Sequence, residues 1–398
     1  MKYISLYKKY FMKEYNATQE YLDLFSSPST IPFEITLEKY PFFVNINNEI
    51  TQLIEEIHTL NAKIIKMTYG NRKLPALVVN WLVDHTLIEE IQMSNEIEGV
   101  VSTRAEIKEL LECTSPKKYK RLYGLVSKYQ QLLESDIEVR TCKEVRELYD
   151  KTMLQDITKE NKRNIPDGFI FRKEAVEVDS GGMMIHMGLN PEFNIIDTMD
   201  KALMILNDPN ISLLVRVAIY HYLFGYIHPF YDGNGRMSRL ISSAYLCKEL
   251  DVITALQVSV SCKLHYKQYC DSFKIVNDIR NKGDLTYFVI SFLEIFKKGL
   301  EHLIDSIQDK IDQYIYYEQC IHELQITDKH SLSLLTILLQ CTLFTAQELT
   351  VEDLIKISKL SKATIKKKLS SSCIAPYIHI DRTAKTYRYS IYVDKLNK

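Results

Sequence analysis

Glycine and proline are scarce in this chain, with 12 and 10 of 398 residues; glycine stands near 3%, against the usual ~7%. Few breakers leave long uninterrupted segments, and apolar residues recurring every three to four positions make those segments helices. The expected fold class is mainly α. Long hydrophobic runs are missing too: no stretch reaches the ~18 consecutive apolar residues of a membrane span. The most apolar run, Leu332 to Phe344, is broken by Ser333, Thr336, Gln340 and Thr342. The opening MKYISLYKKYFMKEY carries charges every few residues and no signal-peptide core. A cytoplasmic protein with no membrane association is expected. The eight cysteines show no CxxC spacing and no clustering with histidine, which argues against a zinc site or disulfide framework. No charge of one sign dominates: 50 basic and 51 acidic side chains give −1, unlike a polybasic nucleic-acid coat or an acidic tail. What is present is 46% hydrophobic and 11% aromatic residues, enough for a sizeable core and too many for global disorder.

The length predicts two or three domains. Residues 26–41 read as irregular. Helical periodicity covers residues 48–67, 75–99, 102–112, 119–133, 197–206, 212–226 and 234–250, with two long runs between 261 and 312. Between Gly168 and Gly188 the period changes to alternation, with Phe169, Phe171, Val176 and Val178 before Asp179-Ser180-Gly181-Gly182. That pattern reads as a β-hairpin with a glycine turn. Residues 351–398 hold nine Lys and two Arg against four acidic groups, a charge of +7, so the rest carries −8. Such asymmetry suggests a separate module.

The run richest in chemistry is His228-Pro229-Phe230-Tyr231-Asp232-Gly233-Asn234-Gly235-Arg236-Met237-Ser238-Arg239, between two helical patterns. Gly233 and Gly235 permit positive φ and close backbone approach. Asn234 is a candidate cap for the following helix, whose first amides then form an anion site suited to phosphate. Arg236 and Arg239 share one helical face and can bond the same polyphosphate. With only 13 Arg against 37 Lys, two arginines here are more than general surface charge. Asp232 offers a hard oxygen ligand for Mg2+, and His228 suits proton abstraction from a hydroxyl. A capped turn with a solvated arginine pair and a core histidine would explain any one of these residues. It does not explain their convergence.

HPFYDGNGRMSR resembles the Fic/Doc (Fido) signature H-x-F-x-[DE]-G-N-G-R-x-x-R at every fixed position, and the likeness extends over most of the chain. The resemblance implies transfer of AMP from ATP to a Ser, Thr or Tyr hydroxyl of a protein, or of the enzyme itself. By the same resemblance His228 would be the base and Asp232 the Mg2+ ligand. Gly233, Asn234 and Gly235 would hold the α- and β-phosphates, and Arg236 and Arg239 would reach the β- and γ-phosphates. Met237 and Ser238 would contribute mainly backbone, and Phe230 would be a buried wedge. Ser94-Asn95-Glu96-Ile97-Glu98-Gly99 matches the family's inhibitory pattern [ST]-x-x-x-E-[GN]. Glu98 would then compete for Arg239 in a bidentate pair, with Ser94 and Gly99 completing the motif. The hairpin resembles the family's target-binding flap, with Arg172, Val176 and Val178 as docking residues and the target pairing by β-augmentation. The GFIFR spacing is one residue longer than the usual G-x-x-R. Tyr269 resembles the family's adenine-pocket tyrosine, and a core tyrosine fits the sequence equally.

The implied domains are an N-terminal helical region with the inhibitory helix (1–112), a Fic core with its flap (113–295), a connecting helix (296–328) and a winged helix-turn-helix (329–398). In the last, Thr350 and Ser361 cap two short helices before a hairpin over 377–393. Lys362, Lys366, Lys367, Lys368, Arg382 and Arg388 make DNA binding by residues 350–393 one reading, and a protein-interaction or dimerisation wing the other. The favoured function is a self-inhibited protein adenylyltransferase. The alternatives are removal of AMP at the same site (a deAMPylase) and a DNA-binding regulator whose Fic core senses nucleotide. A homodimer is compatible with each.

Overall fold

A computed structural model describes residues 2–70, 76–113, 118–180, 183–345, 348–383 and 386–396. The chain opens with helices α1 (Leu6–Tyr10) and α2 (Ala17–Phe25), then a hairpin of β1 (Thr30–Leu37) and β2 (Tyr40–Asn45). Helices α3 (Asn48–Thr68), α4 (Ala76–Ile97), α5 (Arg104–Leu111), α6 (Tyr123–Gln131), α7 (Cys142–Thr152) and α8 (Leu154–Glu160) follow. A second hairpin, β3 (Glu177–Ser180) and β4 (Met183–Met187), precedes α9 (Glu192–Leu206), α10 (Leu213–Ile227) and α11 (Asn234–Leu246). Short helices α12 (Val252–Ala255), α13 (Val258–Leu264) and α14 (Tyr266–Asn277) lead to α15 (Thr286–Glu323), which is 38 residues long. The chain ends with α16 (Lys329–Thr345), β5 (Leu349–Thr350), α17 (Val351–Ser358), α18 (Lys362–Leu369), β6 (Ile378–Asp381) and β7 (Arg388–Ile391). The fold is mainly helical, as expected, with a small antiparallel hairpin before the His228–Arg239 loop.

Two compact units divide the chain. The first, residues 1–63 and 86–301, is built around α10. Its sequence LLVRVAIYHYLFGYI is apolar on every side, and all of it but Arg216 and Gly225 is buried. A helix apolar all round has no solvent face to offer and must sit in a core. It packs against α9 and α11. The second unit, residues 64–85 and 302–398, contains α16, α17 and α18 with a three-stranded antiparallel sheet in the order β5-β7-β6. Thr350 opens α17 in a capping box with Asp353, and the Ser361 hydroxyl accepts from Thr364 N at the start of α18.

The β1/β2 hairpin replaces the irregular stretch expected over residues 26–41. Phe33, Ile35 and Leu37 are buried at alternate positions, and Phe42, Phe43 and Val44 are buried opposite them. Pro32 and Pro41 disguise this pattern, and a register shift between Pro32 and Thr36 accommodates it. A two-stranded hairpin has only edge strands, where proline is tolerated.

The second hairpin is shorter than the sequence predicts. Its strands cover residues 177–180 and 183–187, whereas residues 168–176 are not extended. The Glu192 carboxylate, at the start of α9, accepts from the amides of Phe169, Ile170 and Phe171 at 2.9, 2.7 and 2.8 Å. Amides spent on a side chain cannot pair in a ladder. Val178 lies in β3 opposite His186. The expected turn at Gly181-Gly182, the Pro75 start of the second helix, and Ala384 and Lys385 of the last hairpin lie outside the described residues.

Candidate active site

His228 ends α10 in the left-handed region, at φ 51°, with its amide bonded to Phe224 O at 2.9 Å. The chain then turns inward. Phe230 is fully buried and stacks on Tyr149 of α7 at 3.7 Å between ring centres, with Phe171 edge-on at 5.5 Å. It is the wedge the sequence predicts.

Asn234 is not the helix cap. Gly233 takes that place at φ 81°, and Asn234 is the first helical residue. Its side-chain amide spans the loop instead, accepting from Phe230 N at 2.9 Å and donating to Phe230 O at 2.8 Å. The capping bond gives way because the loop's buried backbone groups need these partners more than the helix end does. The first turn of α11 therefore keeps its amides, from Asn234 to Arg236, outside the intrahelical ladder, which begins with Met237 N on Gly233 O at 3.0 Å.

Met237 and Ser238 point away from this turn. Met237 is fully buried and its sulfur accepts from Thr152 Oγ1 at 3.3 Å; the Ser238 hydroxyl reaches His221 O at 3.5 Å. Their contribution is helix and packing.

Both arginines of α11 are about 1% exposed. Arg236 Nη2 donates to Asp232 Oδ1 at 3.2 Å, while its buried Nε has no partner among the described residues. An unpartnered cationic donor at an anion-binding helix turn fits a phosphate group. Asp232 Oδ1 also accepts from Gly233 N at 2.5 Å, and the side chain is 35% exposed. Among the described residues no cluster of three His, Cys, Asp or Glu is placed to hold a metal. A lone carboxylate suits Mg2+, which is commonly held by one or two carboxylates plus substrate phosphates.

Arg239 is held through Nε and Nη2. Its Nε donates to Ser94 Oγ at 3.0 Å, and Nη2 donates to Ser94 O at 3.0 Å and to Glu98 Oε1 at 2.8 Å. The expected bidentate pair with Glu98 is thus a single contact, through the same Nη2 that Ser94 O shares. Burial pushes the Glu98 carboxyl up, but Arg239, with Arg236 and His228 beyond it, outweighs this and holds it below its usual range. The Glu98 carboxylate also lies against Gly235, where any Cβ would overlap it. Only glycine leaves room there. Gly99 closes the segment at φ 71°, and Val100 N returns to Asn95 O at 2.9 Å.

The His228 side chain is half-buried, and desolvation, with His186 next in size, lowers its pKa from 6.5 to about 4. It is therefore neutral near pH 7. Nδ1 faces Gly225 O at a long 3.4 Å. A carbonyl only accepts, so that contact places the proton on Nδ1 and leaves Nε2 with a lone pair.

Arg172 has a different place from the docking role read in the sequence. It is fully buried, with Nε on His228 O at 2.8 Å, Nη1 on Glu174 O at 2.5 Å and Nη2 on Leu189 O at 2.8 Å. It clamps the turn that carries His228 and is not displayed to a target. The Val176 carbonyl accepts from Gly188 N at 2.9 Å. Tyr269 is 8% exposed, and its hydroxyl bonds His221 Nε2 at 2.8 Å. Of its two readings, these contacts are those of a core tyrosine. His221, unnoticed in the sequence, also bonds Ser242 Oγ at 2.9 Å through Nδ1, and burial lowers its pKa to about 3.

Residues 141–246 match the model of the Fic/DOC family. Among solved structures the chain is similar to a Fic family protein from Desulfovibrio desulfuricans G20, with 20% identity and a TM-score of 0.53, covering 87% of this chain and 97% of that one. It is also similar to a Fic-1 fragment from C. elegans (18% identity, TM-score 0.44, 65% of this chain and 73% of that one). A Fic domain containing signaling protein from Bacteroides thetaiotaomicron VPI-5482 matches with 18% identity and TM-score 0.41, over 66% and 97% of the two chains. Members of this family commonly transfer AMP onto proteins. α10, the His228 loop and α11 all lie inside the segment that matches the Fic/DOC family.

Proposed function

We propose that this protein is a protein adenylyltransferase restrained by its own Glu98. The observation that carries the reading is the Glu98 carboxylate set between Arg239 and Gly235, on the first turn of α11. A negative group held there occupies the kind of site a polyphosphate would use. Arg236, with its buried Nε unpartnered, supports the same reading.

In the proposed reaction ATP lies along that turn. The hydroxyl of a target protein attacks the α-phosphorus and gives its proton to His228 Nε2. The bond from the α-phosphorus to the bridging oxygen breaks, and pyrophosphate leaves. Arg236 and Arg239 offset the charge gathering on the leaving group. Asp232 would hold Mg2+, which when bound neutralises phosphate oxygens. While Glu98 keeps Arg239, the γ-phosphate lacks its guanidinium and the α-phosphorus is misaligned for attack. The target's hydroxyl is set in register by pairing with the edge of β3. In the second unit, α16 to α18 with their three strands are proposed as a winged helix-turn-helix.

Incubation with α-labelled ATP tests this. Glu98→Gly should raise protein labelling at least about tenfold, equivalent to ~1.4 kcal/mol of barrier. His228→Ala in the same background should abolish it while ATP binding persists. Labelling that survives His228→Ala would remove the base assignment, and labelling unmoved by Glu98→Gly would remove the brake.

A further inference from the structure

Glu90 is a buried carboxylate that the proposed chemistry does not use. It is 0% exposed, on α4, and no arginine, lysine or histidine is among its hydrogen-bond partners. Oε1 accepts from Ser259 N at 2.9 Å, Ser259 Oγ at 2.7 Å and Ser243 Oγ at 3.2 Å; Oε2 accepts from Ser259 N at 2.8 Å and Val260 N at 3.3 Å. Burying a carboxylate among neutral donors is costly unless its oxygens are satisfied. This geometry satisfies both, and at one place only.

That place is in line with the inhibitory contact. Glu90, Ser94 and Glu98 are spaced four apart, so they fall on one face of α4 and its end. Ser243 lies four residues beyond Arg239 on α11. The two segments are therefore joined at successive levels, Glu90 to Ser243 and then Ser94 and Glu98 to Arg239. Helix α13, which supplies Ser259 and Val260, meets α4 again where Lys263 lies 3.7 Å from Glu96. A slip of one residue along α4 would turn Glu98 about 100° away from Arg239. The Glu98 pair is partly exposed and single, and cannot by itself fix that register.

We infer that Glu90 is a positioning residue of the brake: by accepting from Ser243, Ser259 and Val260 it sets the register of α4 that brings Ser94 and Glu98 onto Arg239. The inference rests on the reading of Glu98 as an inhibitor and adds the device that aims it. Glu90→Gln probes it with little change of shape. Because Ser259 N bonds both oxygens, either orientation of the new amide sets an NH2 against an N–H donor.

The test uses the full chain and two readouts. By hydrogen exchange with mass spectrometry, amides of residues 91–99 should exchange at least about tenfold faster in Glu90→Gln than in wild type. With α-labelled ATP, Glu90→Gln should raise kcat several-fold and move KM for ATP by less than about twofold. Combined with Glu98→Gly it should add nothing, since both changes act on one contact. Ser259→Ala, which removes the hydroxyl donor and keeps the amide, should shift both readouts the same way by less. It decides the matter if Glu90→Gln does not fold. Wild-type exchange over 91–99, or labelling at or below wild type where Glu98→Gly rises, overturns the inference. If no variant labels protein, the adenylyltransferase reading has failed instead, and the exchange result still decides whether Glu90 sets the register.

Discussion

Positive charge gathers in two regions of this molecule on opposite physical terms. On α11, Arg236 and Arg239 are buried, and Arg239 is held by three hydrogen bonds to Ser94 and Glu98. On α18, the Lys362 side chain is 58% exposed and pairs with Glu352 at 2.9 Å, while Lys368 pairs with Asp328 at 2.7 Å. A guanidinium withdrawn from water persists only where fixed partners compensate it. A lysine left in water needs none. The first region therefore fixes its guanidinium groups by side-chain partners, whereas the second presents basic side chains paired near the surface. Buried charge is the more informative kind.

The strongest test of the comparison is at Arg172, a third buried guanidinium, which bonds the carbonyls of His228, Glu174 and Leu189. Arg172→Ala strands the carbonyls of His228, Glu174 and Leu189, and should cost about 2–4 kcal/mol in chemical denaturation. Arg172→Lys should rescue little, because one ammonium cannot span the three oxygens. An unchanged midpoint would mean that the clamp is idle.

Acid should act next most strongly, through two desolvated imidazoles. His221 and His228 have folded pKa values lowered to about 3 and about 4 from 6.5. Below pH ~6.5 the unfolded chain binds protons that the folded chain refuses, so stability rises with pH across this window and falls on acidification. The slope is at most about 1.4 kcal/mol per pH unit for each imidazole, down to its folded pKa. Glu98 works in the same direction, since its lowered pKa adds stability that is lost as pH falls through the folded value. Urea midpoints from pH 7 to pH 4.5 measure this, and His221→Asn should remove roughly half of the histidine slope. A midpoint that does not move with pH would contradict the burial argument.

The smallest effect is expected in the second region. Lys362→Ala removes an exposed ion pair with Glu352 and should leave the denaturation midpoint within error of wild type. A clear loss there would show that exposed charge also carries structure in this protein.

The His228–Arg239 loop is legible because its chemistry is contiguous: base, carboxylate, glycines and arginines lie within twelve residues. α10 is legible because its apolar residues recur at helical spacing between Ser212 and the His228 loop. The contacts that escaped notice are those in which a side chain bonds to backbone. Arg172 ends on carbonyls, Glu192 on three amides, and Asn234 on both backbone groups of Phe230. A peptide group belongs to every residue, so such pairing leaves no pattern of residue types. The β1/β2 hairpin escaped for another reason, since its prolines resembled loop punctuation. Glu90 had a trace in its spacing of four and eight residues before Ser94 and Glu98, but nothing local says that Ser259 awaits it.

By itself, the sequence determined the helical class, the helix over residues 212–226, and which residues stand together in the His228–Arg239 run. These follow from periodicity and from side-chain chemistry, both local properties. Tertiary structure alone decided which of those groups are engaged. It withdraws the His228 imidazole from water far enough to lower its pKa, gives Arg239 to residues 141 and 145 positions away, and turns Arg172 inward. Each outcome depends on desolvation and on a partner distant in sequence, and neither exists until the chain has folded.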